Sequence, residues 1–99
     1  MIMWKRKARI QAGKVQDAIG FSKEVCALAE KITGSPVRAY VQVGGNIGNI
    51  CWVAESKDLA TYEQLTNKLT TDPEYLKLVQ RGPSLFTPGF TEDEIWRSV

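Results

Sequence analysis

Ninety-nine residues, against about 100 to 200 for an ordinary domain, leave room for one compact unit spanning 1–99. With 43% hydrophobic and 24% charged residues the composition is that of a folded chain, not a disordered or fibrous one, and a net charge of +2 is too small to argue for a polyanion partner. Histidine is absent, which removes Ser-His-Asp and Cys-His catalysis and the ordinary His-containing metal and haem sites; no metal site and no cofactor are expected.

In chain order, residues 2 to 10 alternate. Ile2, Trp4, Ala8 and Ile10 share one parity, which Arg6 interrupts, and Met3, Lys5, Lys7 and Arg9 take the other; this reads as a first strand. After Gly13, Val15, Ala18, Ile19, Ser22, Val25, Cys26, Ala29 and Ile32 recur at three-and-four spacing and predict an amphipathic helix. Thr33-Gly34-Ser35-Pro36 closes it, because Gly accepts the left-handed cap and Pro cannot continue the turn. Two strands, Val37 to Val43 and Asn49 to Glu55, then flank the glycine-rich turn Gly44-Gly45-Asn46-Ile47-Gly48. That turn has no Walker lysine and no helix after it, so it is not a phosphate cradle.

Beyond Ser56, read as a cap, Leu59, Tyr62, Leu65 and Leu69 predict a second helix. Asp72-Pro73 opens a short third helix running through Leu76 and Val79 to Gly82. Pro83 and Pro88-Gly89 punctuate an extended tail, and Glu94 to Val99 alternates as a last strand. The order βαββαβ predicts an α+β, ferredoxin-like domain with a four-stranded antiparallel sheet, order 4-1-3-2, and its helices on one face. The opposite face is left with Met3, Tyr40, one parity of the third strand (Trp52 with Ile50, or Cys51 with Val53) and Trp96 or Ile95. A second copy covering that patch, sheet to sheet, gives a homodimeric α+β barrel.

These residues resemble the small dimeric α+β barrel proteins, including the antibiotic-biosynthesis monooxygenase-like and NIPSNAP-like families. The likeness lies in element order over nearly the whole chain, with a basic first strand running into Gly13-Lys14, and Asp72-Pro73-Glu74-Tyr75 ahead of the last strand. NIPSNAP-like first strands commonly carry Glu-Leu-Arg-Thr-Tyr some residues before a Pro-Gly. Arg6 falls on that arginine, whereas Trp4, Ala8 and Ala12 stand where Glu, Tyr and Pro would be. The resemblance implies a dimer with a pocket between sheet and helices; members range from cofactor-free oxygenases and isomerases to proteins of no known activity, so fold alone does not select a reaction.

Candidate site residues follow. The Arg6 guanidinium either orients a carboxylate, phenolate or enolate through two-point hydrogen bonding or pairs with an acid of its own chain. Trp4, Trp52, Trp96 and Tyr62 either line an aromatic pocket or fill the core and interface. A cavity of about 300 Å³ or more beside Arg6 and Trp4 separates the two. Cys26 and Cys51 read as small core residues, with no disulfide or zinc spacing.

The basic run Lys5-Arg6-Lys7 with Arg9 should be neutralised across the sheet by Glu92, Asp93 and Glu94, which argues against nucleic acid as partner. An RNA-recognition domain shares the element order, but Gly48 to Glu55 supplies one aromatic where its signature needs two. The apolar stretch Met1 to Trp4 is too short for a signal sequence, and no run reaches the ~18 residues of a membrane span. A cytoplasmic protein is expected. Its function reads as binding of a small apolar or aromatic molecule, the alternative being a cofactor-independent monooxygenase or isomerase on a small aromatic or polyketide-like substrate.

Overall fold

The alternation in the first strand decides the layering of the computed structural model, which describes residues 1–99. Strand β1 (Ile2–Arg9) pairs antiparallel with β3 (Asn49–Ser56) on one side and β4 (Glu92–Arg97) on the other, and β2 (Val37–Val41) pairs antiparallel with β3. The sheet order is β2-β3-β1-β4, the expected 4-1-3-2 read from the other edge. Directly opposed residues share a face. Ile2, Trp4, Arg6, Ala8, Ala54, Trp52, Ile50, Val37, Ile95 and Asp93 therefore lie on one side, and Met3, Lys5, Lys7, Cys51, Val53, Tyr40, Trp96, Glu94 and Glu92 on the other.

Helices α1 (Val15–Thr33), α2 (Leu59–Thr70) and α3 (Pro73–Val79) lie on the Trp52 side. Helix α1 ends where expected: Gly34 takes φ 73°, and its N–H returns to the Glu30 carbonyl at 2.7 Å. Asp72 caps α3 by accepting the Tyr75 N–H at 3.0 Å, with Pro73 at the first helical position. Helix α2 is capped by Asp58, which accepts the Thr61 N–H at 2.8 Å. Ser56, the sequence-predicted cap, is instead the buried last residue of β3, two positions too early to reach the free N–H groups of the first turn. Helix α3 stops at Val79 rather than at Gly82, and a 3-10 turn at Pro83–Leu85 follows. Strand β4 begins two residues before its predicted start, in register with the basic residues of β1.

Ala8, Ile10, Ala18, Ile50 and Trp52 form the closed core where α1 meets the central strands, with Trp4, Cys26, Val37, Leu85 and Phe86 packed around it. The segment after α3 is tied to the end of β1 by Gln11 N–H to the Leu85 carbonyl and Thr87 N–H to the Arg9 carbonyl, both 2.8 Å. That tie brings Phe86 against Trp52, ring centres 5.5 Å apart and nearly perpendicular, and against Phe21 at 6.1 Å. Cys26 lies at the margin of the core, half-buried, and Cys51 is not in it: its position on β3 faces the uncovered side. A one-residue register choice made that difference.

No residue of α2 or α3 is buried, although Tyr62, Leu65, Leu69, Tyr75, Leu78 and Val79 are each half-covered. These two helices stand away from the sheet. No helix is long and apolar enough to cross a membrane.

Candidate functional site

The gap beneath α2 and α3 holds two adjoining cavities of about 390 and 320 Å³, both open to the surface. Each reaches the lower end of the range for small-molecule sites, roughly 300 to 1,000 Å³. Trp4, Arg6, Val37, Leu69, Tyr75 and Val79 border both. Trp52, Phe21 and Phe86 wall the larger one, and Tyr62 and Leu65 border the smaller. Among the four aromatics picked out from the sequence, Trp4, Trp52 and Tyr62 thus come together in one cleft. Trp96 does not; it lies opposite Met3 on the other face, its indole N–H donating to Glu94 at 3.1 Å.

Arg6 points into this cleft because it shares the parity of Trp4 and Ala8, but its hydrogen-bonding fork is occupied. Nε donates to Asp93 Oδ1 at 2.6 Å and Nη2 to Oδ2 at 2.8 Å, the parallel two-point geometry that guanidinium and carboxylate favour. The register makes this pair, since Arg6 stands directly opposite Asp93. On its other flank the guanidinium lies 5.6 Å from the Trp4 ring centre, within cation–π range. The hydrogen bonds to Asp93 raise the Arg6 pKa against the opposing effect of burial, and those from Arg6 hold the Asp93 carboxyl below its ordinary range. Burial pushes the Tyr75 phenol up, partly offset by the Arg6 charge, so it is protonated at neutral pH. Burial likewise raises the Cys26 thiol, which removes thiolate character from that residue.

The same register sets acids opposite the two lysines of the basic run. Lys7 meets Glu92 at 3.6 Å, Lys5 stands opposite Glu94, and Arg9 donates to the Ile47 carbonyl at 2.7 Å, fastening the glycine-rich turn. A smaller depression of about 280 Å³ is lined by Lys5, Lys7, Gln42 and Asn49 together with Tyr40, Val41, Ile50 and Cys51, a mixed lining with two lysines where the cleft has Arg6 alone.

Several cleft residues escaped the sequence reading. Phe21 lies three after Ala18 and four before Val25, so its helical spacing was available as a signal. Tyr75 was marked only by its place just inside the Asp72-Pro73 helix start. Phe86 carries no local signal, because its position depends on a tie to residues about 75 positions away. The Trp52 indole N–H and the Ser22 hydroxyl are buried with no protein partner, each a cost of about 1 to 3 kcal/mol carried by this packing.

No protein-family model matches the chain, and no curated protein matches it in sequence. Solved structures do. A NIPSNAP domain protein from Burkholderia xenovorans superposes with a TM-score of 0.85 at 17% identity, covering 100% of this chain and 95% of that one. A NIPSNAP family protein from Agrobacterium tumefaciens gives 0.85 at 21% identity, covering 99% and 85%. A cofactor-independent oxygenase from Streptomyces nogalater gives 0.72 at 9%, covering 98% and 91%. At these identities the likeness is one of fold, and the chain has the ferredoxin-like α+β fold of the NIPSNAP and antibiotic-biosynthesis monooxygenase structures, the group its sequence resembles.

Proposed function

We propose that the protein binds a small, flat, apolar molecule in the cleft between the sheet and helices α2 and α3. The observation that carries this reading is the wall formed by Trp52, Phe21 and Phe86 around a cavity of about 390 Å³ that no side chain of the chain fills. Aromatic walls of this kind offer large contact area to a planar ligand at little cost in side-chain entropy. Trp4, Arg6, Trp52 and Tyr62 are the binding residues named from the sequence, and Tyr75, Phe21 and Phe86 join them.

The working unit is a homodimer in which two uncovered sheet faces meet. Met3, Cys51, Val53, Tyr40 and Trp96 form the apolar part of that face, and Tyr40 and Trp96 are 52% and 55% exposed. The two unpaired thiols fit a reducing compartment, and we assign the protein to the cytoplasm. An oxygenase or isomerase role draws no support from the cleft residues: the Arg6 fork is taken by Asp93 and the Tyr75 phenol keeps its proton.

Filling the cleft tests the reading. Val79 borders both cavities, so Val79→Trp should weaken binding of N-phenyl-1-naphthylamine, a neutral fluorescent naphthalene, at least about ten-fold by removing the space it occupies. Thermal stability should hold or rise, since the added ring enters empty volume. Unchanged dye affinity in a folded Val79→Trp protein excludes this cleft as the site.

A further inference from the structure

We infer that Asp93 sets the charge specificity of the cleft: by pairing with the Nε/Nη2 edge of Arg6 and balancing its charge it makes the site one for uncharged planar molecules and turns anions away. The inference rests on the cleft being a ligand site. Arg6 is the one cation bordering either cavity, and Glu55, the single acidic residue at either, stands opposite Met3 with its side chain on the other face of the sheet. With the Arg6 charge balanced by Asp93 at 2.6 and 2.8 Å, an anion entering the cleft finds no unpaired positive charge. It would have to give up its hydration for apolar and aromatic walls, a transfer that is strongly unfavourable without a counter-charge.

A neutral ring pays no such cost. It can stack beside Trp4 or Trp52, while the Tyr75 hydroxyl, kept protonated, offers a hydrogen bond to a carbonyl or hydroxyl on the ring. The ligand class is therefore neutral and planar, an arene, quinone or phenol rather than an aromatic acid.

Asp93 sits on an edge strand, its side chain 44% exposed, so it can be replaced without opening the core. Removing its carboxylate leaves the Arg6 fork free in an apolar cleft, where a charge-assisted two-point bond to an incoming anion replaces the lost partner.

Two dyes with one skeleton test this, neutral N-phenyl-1-naphthylamine and its anionic relative 8-anilinonaphthalene-1-sulfonate. In the wild-type protein the neutral dye should bind at least about ten-fold more tightly. In Asp93→Asn the anionic dye should gain at least about ten-fold while the neutral dye changes by less than about three-fold. Arg6→Gln added to Asp93→Asn should abolish the gain. If Asp93→Asn does not fold by circular dichroism, Asp93→Thr, a good strand former, takes its place. Failure of the neutral dye to bind wild type at all overturns the cleft as a site, and this inference with it. Equal binding of both dyes to wild type, or no gain for the anion on removing the carboxylate, overturns the charge assignment alone.

Discussion

A salt bridge between half-exposed groups is ordinarily worth about 0.2 to 1 kcal/mol, so the Arg6–Asp93 pair matters less for stability than for what it does to the cleft. Its stability share is still measurable through pH. Asp93 is held below its ordinary value of 3.8 in the folded state, so the contribution is complete above that value. It disappears as pH falls through the lowered folded value, because folding then no longer favours the charged form. Urea unfolding of wild type and Asp93→Asn should therefore differ by up to about 1 kcal/mol near pH 6 and converge near pH 2. A gap that grows on acidification would mean that Asp93 is not stabilised by Arg6. The sequence already showed Arg6 as an outlier in an apolar parity and Glu92, Asp93 and Glu94 as acids on a facing strand. What it left open was which of two partners, ligand or chain, takes the guanidinium, and the register of β4 settles that.

Elements differ in how much of them is local. Caps and periodicity are set by neighbours within a few residues, which is why α1, its Gly34 end and the Asp72-Pro73 start of α3 follow directly from the chain. The connection from α3 to β4 does not, since Phe86 is positioned by backbone bonds to the end of β1. Trp96 reads from the sequence as either a pocket or an interface aromatic, and the parity of β4 puts it on the face opposite the cleft. Gly82 shows how closely the returning segment approaches α1: a Cβ there would meet Phe21 at 3.0 Å and the Val79 carbonyl at 3.1 Å. Gly82→Ala should displace the buried Phe21 ring from the aromatic wall, costing on the order of 1 kcal/mol in unfolding free energy and weakening neutral-dye binding. Full retention of both would show that the wall is not held by this contact.

At the scale of the molecule, few residues are closed off: 13 of 99 are buried, and both the cleft and the uncovered sheet face carry apolar residues. The fold places an open cleft on one side of the sheet and an uncovered face on the other. Charge on that surface is balanced within each copy by Lys7 with Glu92 and by Lys5 opposite Glu94, so two identical faces can meet without net repulsion. Analytical ultracentrifugation at micromolar concentration should give a dimer. Val53→Lys, which sets a third cation between Arg38 on β2 and Lys5 on β1, should give a folded monomer. A monomeric wild type would contradict the barrel arrangement while leaving the cleft intact. Helix placement and sheet order were legible from the pattern of apolar residues; the empty volume was not, because whether α2 and α3 press onto the sheet or stand off it depends on side-chain volumes summed over four elements.

The three tryptophans provide the most direct test of the central claim, two of them at the cleft and one on the far face. Their indole N–H signals in a proton–nitrogen correlation spectrum can be followed while N-phenyl-1-naphthylamine is added. The Trp4 and Trp52 signals should move together along one saturable curve while Trp96 stays in place. Movement of Trp96 alone, or of none of the three at saturating dye, would contradict that claim.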